Sequence, residues 1–347
     1  VLHQPHGTFE LQDPGGTWMR AQFGTLEEHR AALRRARPDL GWTSNQLSAG
    51  RVSGSVISSR RDAVAVTCTR ASGSFEMRGP VSTRNLVLSL SLESPTPGMQ
   101  WMRPAHEGMV GVFLANTELD TINRGTVSFA VIDISHEALE IHAERLDVVI
   151  DPRKIAQSGI VPGQISAALR ARVSGLVAGL HAGLPGQLPP GYRLDEMIIS
   201  AAVWQLGRSD LPGDPMRLGG HHRIVARARA YIDAHLDSPI SIDDLLDAAI
   251  ASRRTLYRAF VETLAETPQS YILKLRLNRI RQDLATPDEA MRTVTVVSNR
   301  WGIAELGRLA ARYREQFGEL PRDTLARRGL IHADLSTPTE LQTAPSA

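Results

Sequence analysis

The stretch that decides the fold runs from Ser241 to Leu264, SIDDLLDAAIASRRTLYRAFVETL, and returns in altered form from Val294 to Gly318 as VTVVSNRWGIAELGRLAARYREQFG. In the first copy Ser241 is placed to cap a helix whose apolar face is Ile242, Leu245, Leu246 and Ala249. Ile250 and Ala251 make a short turn, and Ser252 caps a second helix that buries Leu256, Phe260 and Leu264. In the second copy a helix carrying Val297 and Ser298 leads to a turn at Gly302. A helix with Leu306, Leu309, Tyr313 and Phe317 on its apolar face follows, ended by Gly318. Leu256, Phe260, Leu264 and Pro268 recur 53 residues later as Leu309, Tyr313, Phe317 and Pro321, whereas upstream of the turn the offset is 52, as from Leu245 to Val297. The second turn is therefore one residue longer. Four matches at one offset mark an internal duplication of a helix-turn-helix unit, 241–264 and 294–318.

Outward from the repeat, Pro268 opens a linking helix, 268–285, in which Leu275, Leu277 and Ile280 are available for packing. Two helices held roughly 34 Å apart can enter successive major-groove segments on one face of duplex DNA, and a linking helix sets such a spacing. On the first recognition helix the face opposite Leu256 and Phe260 carries Arg253, Arg254, Thr255, Tyr257 and Arg258, of which the arginines are the commonest readers of guanine edges. The second recognition helix turns Gly307, Arg308, Ala311 and Arg312 toward solvent or DNA. Gly307 and Ala311 allow close approach or touch a thymine methyl but make no bidentate contact, so the first unit is expected to read most bases and the second to position on the backbone. Ser252, Arg312 and Arg314 are the candidates for phosphate contacts. An isolated helix with such a face reads as merely solvated; within a duplicated unit DNA is the better reading. Charge agrees: residues 221–330 hold 18 Arg and Lys against 14 Asp and Glu, while the whole chain holds 39 against 37.

The run GIAELGRLAARYREQFGELPRDTL, 302–325, within a duplicated region from Ile224 to Arg328, resembles the DNA-binding domain of the AraC/XylS family of bacterial regulators. The resemblance implies a sequence-specific regulator of transcription, most often an activator, with double-stranded DNA and RNA polymerase as partners. It also implies a cupin-like ligand-sensing domain ahead of the two units, and base-edge contacts by Arg254, Tyr257 and Arg258. Three positions depart from the family pattern and bear on local packing: Ile250 in place of a turn Gly, Ile303 in place of the Phe that follows Gly302, and Leu309 in place of a frequent Phe.

From Arg51 to Ile134 the pattern has period two, as in Ala63 to Thr67, AVAVT, and Leu86 to Leu92, LVLSLSL, punctuated by Gly79-Pro80, Gly98, Gly108, Gly111 and Gly125. That predicts a β-sandwich or small barrel. Ser135 then caps a helix, and helical patterns at Ile165–Leu180 and Leu194–Leu206 form a hairpin across the Gly and Pro stretch 183–191. The expected fold class is α+β and multidomain: residues 1–150 a β-rich sensing domain, 151–206 a helical connector, 207–220 a linker, 221–330 an all-α double helix-turn-helix domain, and 331–347 a flexible tail. Ile198, Ile199, Ala201, Ala202, Val203 and Trp204, in near-continuous order, predict a homodimer through the hairpin, where Gly175, Gly179 and Gly183 also lie four apart.

Trp42, Phe75, Met77, Arg78 and Trp101 are the candidates to line a cavity for a small-molecule effector; no cofactor is implied. His106, His136 and His142 lack metal-ligand spacing, adjacent His221 and His222 read as linker, and Asp133, Ser135 and His136 lie too close in sequence for a triad. A catalytic role is not expected; the alternatives are a cupin-type enzyme fused to a DNA-binding module and a protein-interaction module built on the C-terminal helices. Alkyl-repair chemistry needs several reactive cysteines, and Cys68 is the only cysteine, read as a core thiol of a reducing compartment. With no run near 18 apolar residues and no signal pattern, the cytoplasm is expected rather than a membrane.

Overall fold

In the computed structural model, residues 8–13, 16–37, 41–61, 63–81, 85–183, 193–213, 218–286 and 293–327 are described; the tail expected at 331–347 lies outside them. Two antiparallel sheets make the N-terminal half. The larger runs, in spatial order, β1 (Thr8–Asp13), β2 (Gly16–Phe23), β4 (Ser53–Arg61), β5 (Val64–Ser72), β12 (Thr126–Ile134), β7 (Leu86–Glu93), β10 (Val110–Phe113) and β13 (Gly159–Val161). The smaller runs β3 (Thr43–Gln46), β6 (Phe75–Pro80), β11 (Glu118–Asn123), β8 (Gly98–Gln100) and β9 (Arg103–Ala105).

Alternation of side chains sorts the layers. On β7, Leu86, Leu88, Leu90 and Leu92 join the core behind the large sheet, with Ala130, Ile132 and Ile134 of β12. Helices α2 (His136–Arg145), α3 (Ala167–His181) and α4 (Leu194–Arg208) cover that face. The opposite faces, with Val87, Val127, Phe75 and Met77, meet between the sheets under α1 (Leu26–Ala36). Ser135 caps α2 as its spacing predicts, accepting from Ala138 N. Cys68 is fully buried, and burial pushes its thiol pKa up.

Several expectations need correction. Ile198, Ile199, Ala201, Ala202 and Val203 are wholly buried against the large sheet within one chain, leaving only Trp204 half exposed, so these residues are not free to build a dimer. Residue 150 does not close the β region, because β13 pairs with β10 through Val161 opposite Val110. The segment 207–220 is only partly a linker: α4 runs to Arg208, Gly213 N donates to Ile160 O at 3.1 Å, and Gly220 already begins a helix. His221 and His222 therefore lie in a helical first turn, where His221 meets Glu262 at 2.6 Å.

The C-terminal half is all helix: α5 (Gly220–His235), α6 (Ile242–Ala249), α7 (Arg253–Leu264), α8 (Pro268–Ala285), α9 (Val294–Arg300), α10 (Leu306–Phe317) and α11 (Pro321–Ala326). Val225, Ile232, Leu245, Leu256, Phe260 and Tyr271 form the core of the first unit, and Leu47, Met99, Met102 and Ile122 of the small sheet belong to the same cluster. The second unit has its own smaller core, Leu277, Ile280, Leu284, Val297, Leu309, Tyr313 and Phe317. Leu306, expected to face that core, is 40% exposed, since it opens the first turn of α10 ahead of the buried stripe.

Candidate nucleic-acid interface and effector cavity

Helix α7 begins at Ser252, whose hydroxyl accepts from Thr255 N at 3.3 Å, and it is fixed by the wholly buried Leu256, Ala259 and Phe260. That anchoring turns Ser252, Arg253, Arg254 and Arg258 outward as exposed residues, with Thr255 and Tyr257 half buried beside them. Arg253 reaches Asp243 at 3.4 Å and Arg258 donates to Glu262 at 2.7 Å, while Arg254 makes no ion pair among the described residues. Hydrogen bonds from Arg258 and then His221 hold the Glu262 carboxyl below its usual pKa, so the face keeps both charges. Exposed pairs of this kind contribute little to stability, which leaves the arginines free to exchange a carboxylate for phosphate or a base edge. The Tyr257 hydroxyl accepts from Gln269 Nε2.

On α10 the buried residues are Leu309, Tyr313, Gln316 and Phe317, and Gly307, Arg308, Ala311, Arg312 and Arg314 are all exposed. Arg308 pairs with Glu305 at 2.9 Å, and Glu305 precedes the helix without a side-chain cap. The two recognition helices thus present the side chains expected of them, and the one-residue difference in turn length is seen between Ile250 and Ser252 on one side and Gly302 and Glu305 on the other.

Sequence patterns gave no sign of how this domain docks on the small sheet. Glu76 and Arg78 of β6, and Asp120 of β11, point away from the sheet-to-sheet core and toward the helices. Arg229 of α5 is 1% exposed and donates to Glu76 at 2.9 Å, to Asp120 at 3.0 Å, to the Tyr271 hydroxyl at 2.9 Å and to Met102 Sδ at 2.7 Å. Burial works against its charge, but Tyr271, Asp120 and Glu76 outweigh burial and hold its pKa well above the ordinary value. Asn278 of α8 takes the free edge of β3: Gln46 N donates to Asn278 Oδ1 at 2.7 Å and Asn278 Nδ2 donates to Gln46 O at 2.9 Å, completing an edge that would otherwise stay unpaired. Arg281 joins Glu27 at 3.0 Å and Glu319 at 2.8 Å, with its guanidinium 4.7 Å from the Phe317 ring centroid.

The last turns of both recognition helices are held by the N-terminal half. Helix C-termini leave carbonyls unpaired. Arg124 donates to Thr263 O at the end of α7, while Gly50 N donates to Glu315 O at 3.1 Å and Gln46 Nε2 to Gln316 O at the end of α10. The Gln316 side chain returns a bond to Gln46 O at 2.8 Å.

Between the sheets lies a cavity that opens to solvent. Trp42 and Met77 line it. Phe75 does not, being packed in the core 5.6 Å from the His29 ring; Arg78 pairs with Asp233 and Asp120 on the other face. Trp101 sits in the β8–β9 hairpin, its ring 4.8 Å from Phe113 and its Nε1 donating to Glu118 O at 2.7 Å. The lining residues that sequence reading missed include Val87, Ser89, Ser91, Thr121, Phe129 and Val131. For Val87, Ser89 and Ser91 the signal was present in LVLSLSLE, whose second face lacks the large apolar side chains of its leucine face. The hairpin tip also joins this wall to the helices: Trp101 and Met102 both have positive φ, 48° and 57°, and Met102 is the sulfur that Arg229 meets. Among the described residues no group of three metal-ligating side chains is close enough to hold an ion, and no helix is long and apolar enough to cross a membrane.

Two units of paired helices joined by α8, each with an exposed arginine-bearing second helix, make the C-terminal half a double helix-turn-helix domain. A family model described as a helix-turn-helix domain matches residues 245–327. The chain is similar to the XylDLEGF operon transcriptional activator 3 of Pseudomonas putida, 39% identical over 108 residues, or 31% of this chain and 33% of that protein. It is likewise similar to a probable thc operon regulatory protein of Rhodococcus erythropolis, 32% identical over 102 residues, 29% of this chain and 31% of that one. A solved structure of a probable AraC family transcriptional regulator from Rhodopseudomonas palustris is 32% identical over 30% of this chain and 96% of its own, with a TM-score of 0.28. Residues 245–327 are thus a helix-turn-helix domain of the kind found in AraC/XylS-type regulators. The match spans about one third of the length of these curated relatives.

Proposed function

We propose that the chain is a sequence-specific DNA-binding regulator of transcription, most simply an activator that works with RNA polymerase, controlled by a small molecule held between its two sheets. The carrying observation is the outward face of α7, where Arg254 stands exposed beside Tyr257 and Arg258 on a helix anchored by Leu256 and Phe260. Arginines so placed serve base edges and phosphates rather than a catalytic centre. The small sheet supports the regulatory part: one face lines the cavity through Met77 and Thr121, and the other meets Arg229 through Glu76 and Asp120.

The test is a shift assay of the full chain on DNA taken from upstream of its own gene, at graded salt. Affinity is expected to fall linearly on a double logarithmic plot, because arginine contacts to phosphate release counterions. Binding indifferent to salt, or equal on scrambled DNA, would overturn the reading.

A further inference from the structure

We propose that the cavity takes a neutral, mostly apolar molecule bearing a hydrogen-bond acceptor, and rejects carboxylates and other anions. This rests on reading the cavity as the effector site. Its walls are apolar where Val87, Phe129 and Val131 face it, and its polar groups are mostly hydroxyls and amides such as Ser89, Thr121 and Gln100. Among the described residues that line it there is no Lys, Arg or His, and the only ionisable side chain is Glu93. Glu93 already pairs with Arg70 at 3.4 Å, so the pair carries no net charge to draw a ligand cation, and a ligand anion finds no cation among the lining residues. An anion entering would give up its water for walls that offer no compensation, whereas a neutral molecule gives up little.

The acceptor follows from two donors. Trp42 and Asn123 both line the cavity, each is 8% exposed, and Trp42 Nε1 and Asn123 Nδ2 have no hydrogen-bond partner among the described residues. Unpaired buried N–H groups are costly and are commonly satisfied by water or ligand. A ketone, ester, amide or ether oxygen on the bound molecule would satisfy one of them, which gives the ligand an orientation in otherwise apolar surroundings.

The experiment uses the full chain, with fluorescence of N-phenyl-1-naphthylamine as reporter and three displacers of one size: 1-isopropenylnaphthalene, 1-acetylnaphthalene and 1-naphthoate. The reporter is expected to bind wild type and to lose at least tenfold in affinity in Val131→Trp, which fills the cavity from β12. The ketone should displace it at least tenfold more effectively than the carboxylate and severalfold better than the hydrocarbon, and Asn123→Leu should erase the ketone's advantage over the hydrocarbon. Displacement by 1-naphthoate equal to the ketone, with Val131→Trp still blocking the reporter, would overturn the ligand class while leaving the cavity as a binding site. A reporter that does not bind, or binds Val131→Trp unchanged, would overturn the class and the effector-site reading together. Neither result touches DNA binding, which the shift assay judges separately.

Discussion

In the first helix-turn-helix unit both left-handed backbone positions carry a Cβ: Ile250 at φ 53° in the turn and Ala265 at φ 58° after the recognition helix. In the second unit the equivalent residues are Gly302 at 71° and Gly318 at 73°, for which the conformation is free of that strain. Ile250 is also 76% exposed, so no burial of its own offsets the strain. The units differ in anchoring in the same sense. The core of the first is continuous with Leu47, Met99, Met102 and Ile122 of the small sheet, and its buried arginine, Arg229, has four partners. The second keeps a separate core, and its arginine, Arg281, bonds Glu27 and Glu319. Unfavourable local geometry is carried where tertiary docking is deepest, because docking over-determines the backbone there.

The strongest way to break this comparison is to remove each arginine. Arg229→Ala leaves the fully buried Glu76 with only the neutral donors Asn45 Nδ2 and Tyr271 OH in place of its cation, and should cost about 3–5 kcal/mol in denaturant unfolding of the full chain. Arg281→Ala should cost less, roughly 2 kcal/mol, because Glu319 keeps Arg327 and Thr324 as partners. Equal losses would remove the distinction in anchoring.

Base reading sharpens it next. Arg254→Ala or Arg258→Ala should lower discrimination between operator and scrambled DNA by about 1–3 kcal/mol, or roughly fivefold to 150-fold, whereas Arg312→Ala should weaken both about equally. If Arg308→Ala abolished discrimination while the α7 substitutions left it intact, the ranking of the two units would be reversed.

The smallest expected effect concerns the turns. Ile250→Gly and Ala265→Gly should each stabilise by about 1 kcal/mol, and Gly302→Ala and Gly318→Ala should each destabilise by a similar amount. At both glycines an added Cβ would meet only side-chain atoms at ordinary distance, 3.7 Å from Arg276 and 3.5 Å from Arg51, so φ alone decides the sign. A Tm that falls in Ile250→Gly would show that the isoleucine has a role its exposure does not reveal.

The duplicated helices were legible because caps, helical period and turn length are local properties: Ser241, Ser252, Leu256, Phe260 and Pro268 sit as their spacing predicts. Helix α1 went unread although Thr25 caps it, with Glu27 and Glu28 in its first turn and Arg34 and Arg35 in its last. The docking was not legible at all. No local pattern marks Arg229, Asn278 and Arg281, whose partners Asp120, Glu76, Gln46 and Glu27 lie 109 to 254 residues away in the chain. Of the proposed cavity residues, Trp42 and Met77 were found and Phe75, Arg78 and Trp101 fell elsewhere, since aromatic and long side chains serve a core as readily as a cavity.

The bonds from Arg124 to the end of α7, and from Gly50 and Gln46 to the end of α10, give the N-terminal half the character of a ruler. Each reader helix is gripped at its tail by the same small sheet or the loops that leave it, so the distance between the two readers is written in that sheet as much as in α8. On the proposed reading the letters recognised in DNA belong to α7 and α10, and the length of DNA permitted between the two recognised words would be set by residues more than 130 positions away in the chain.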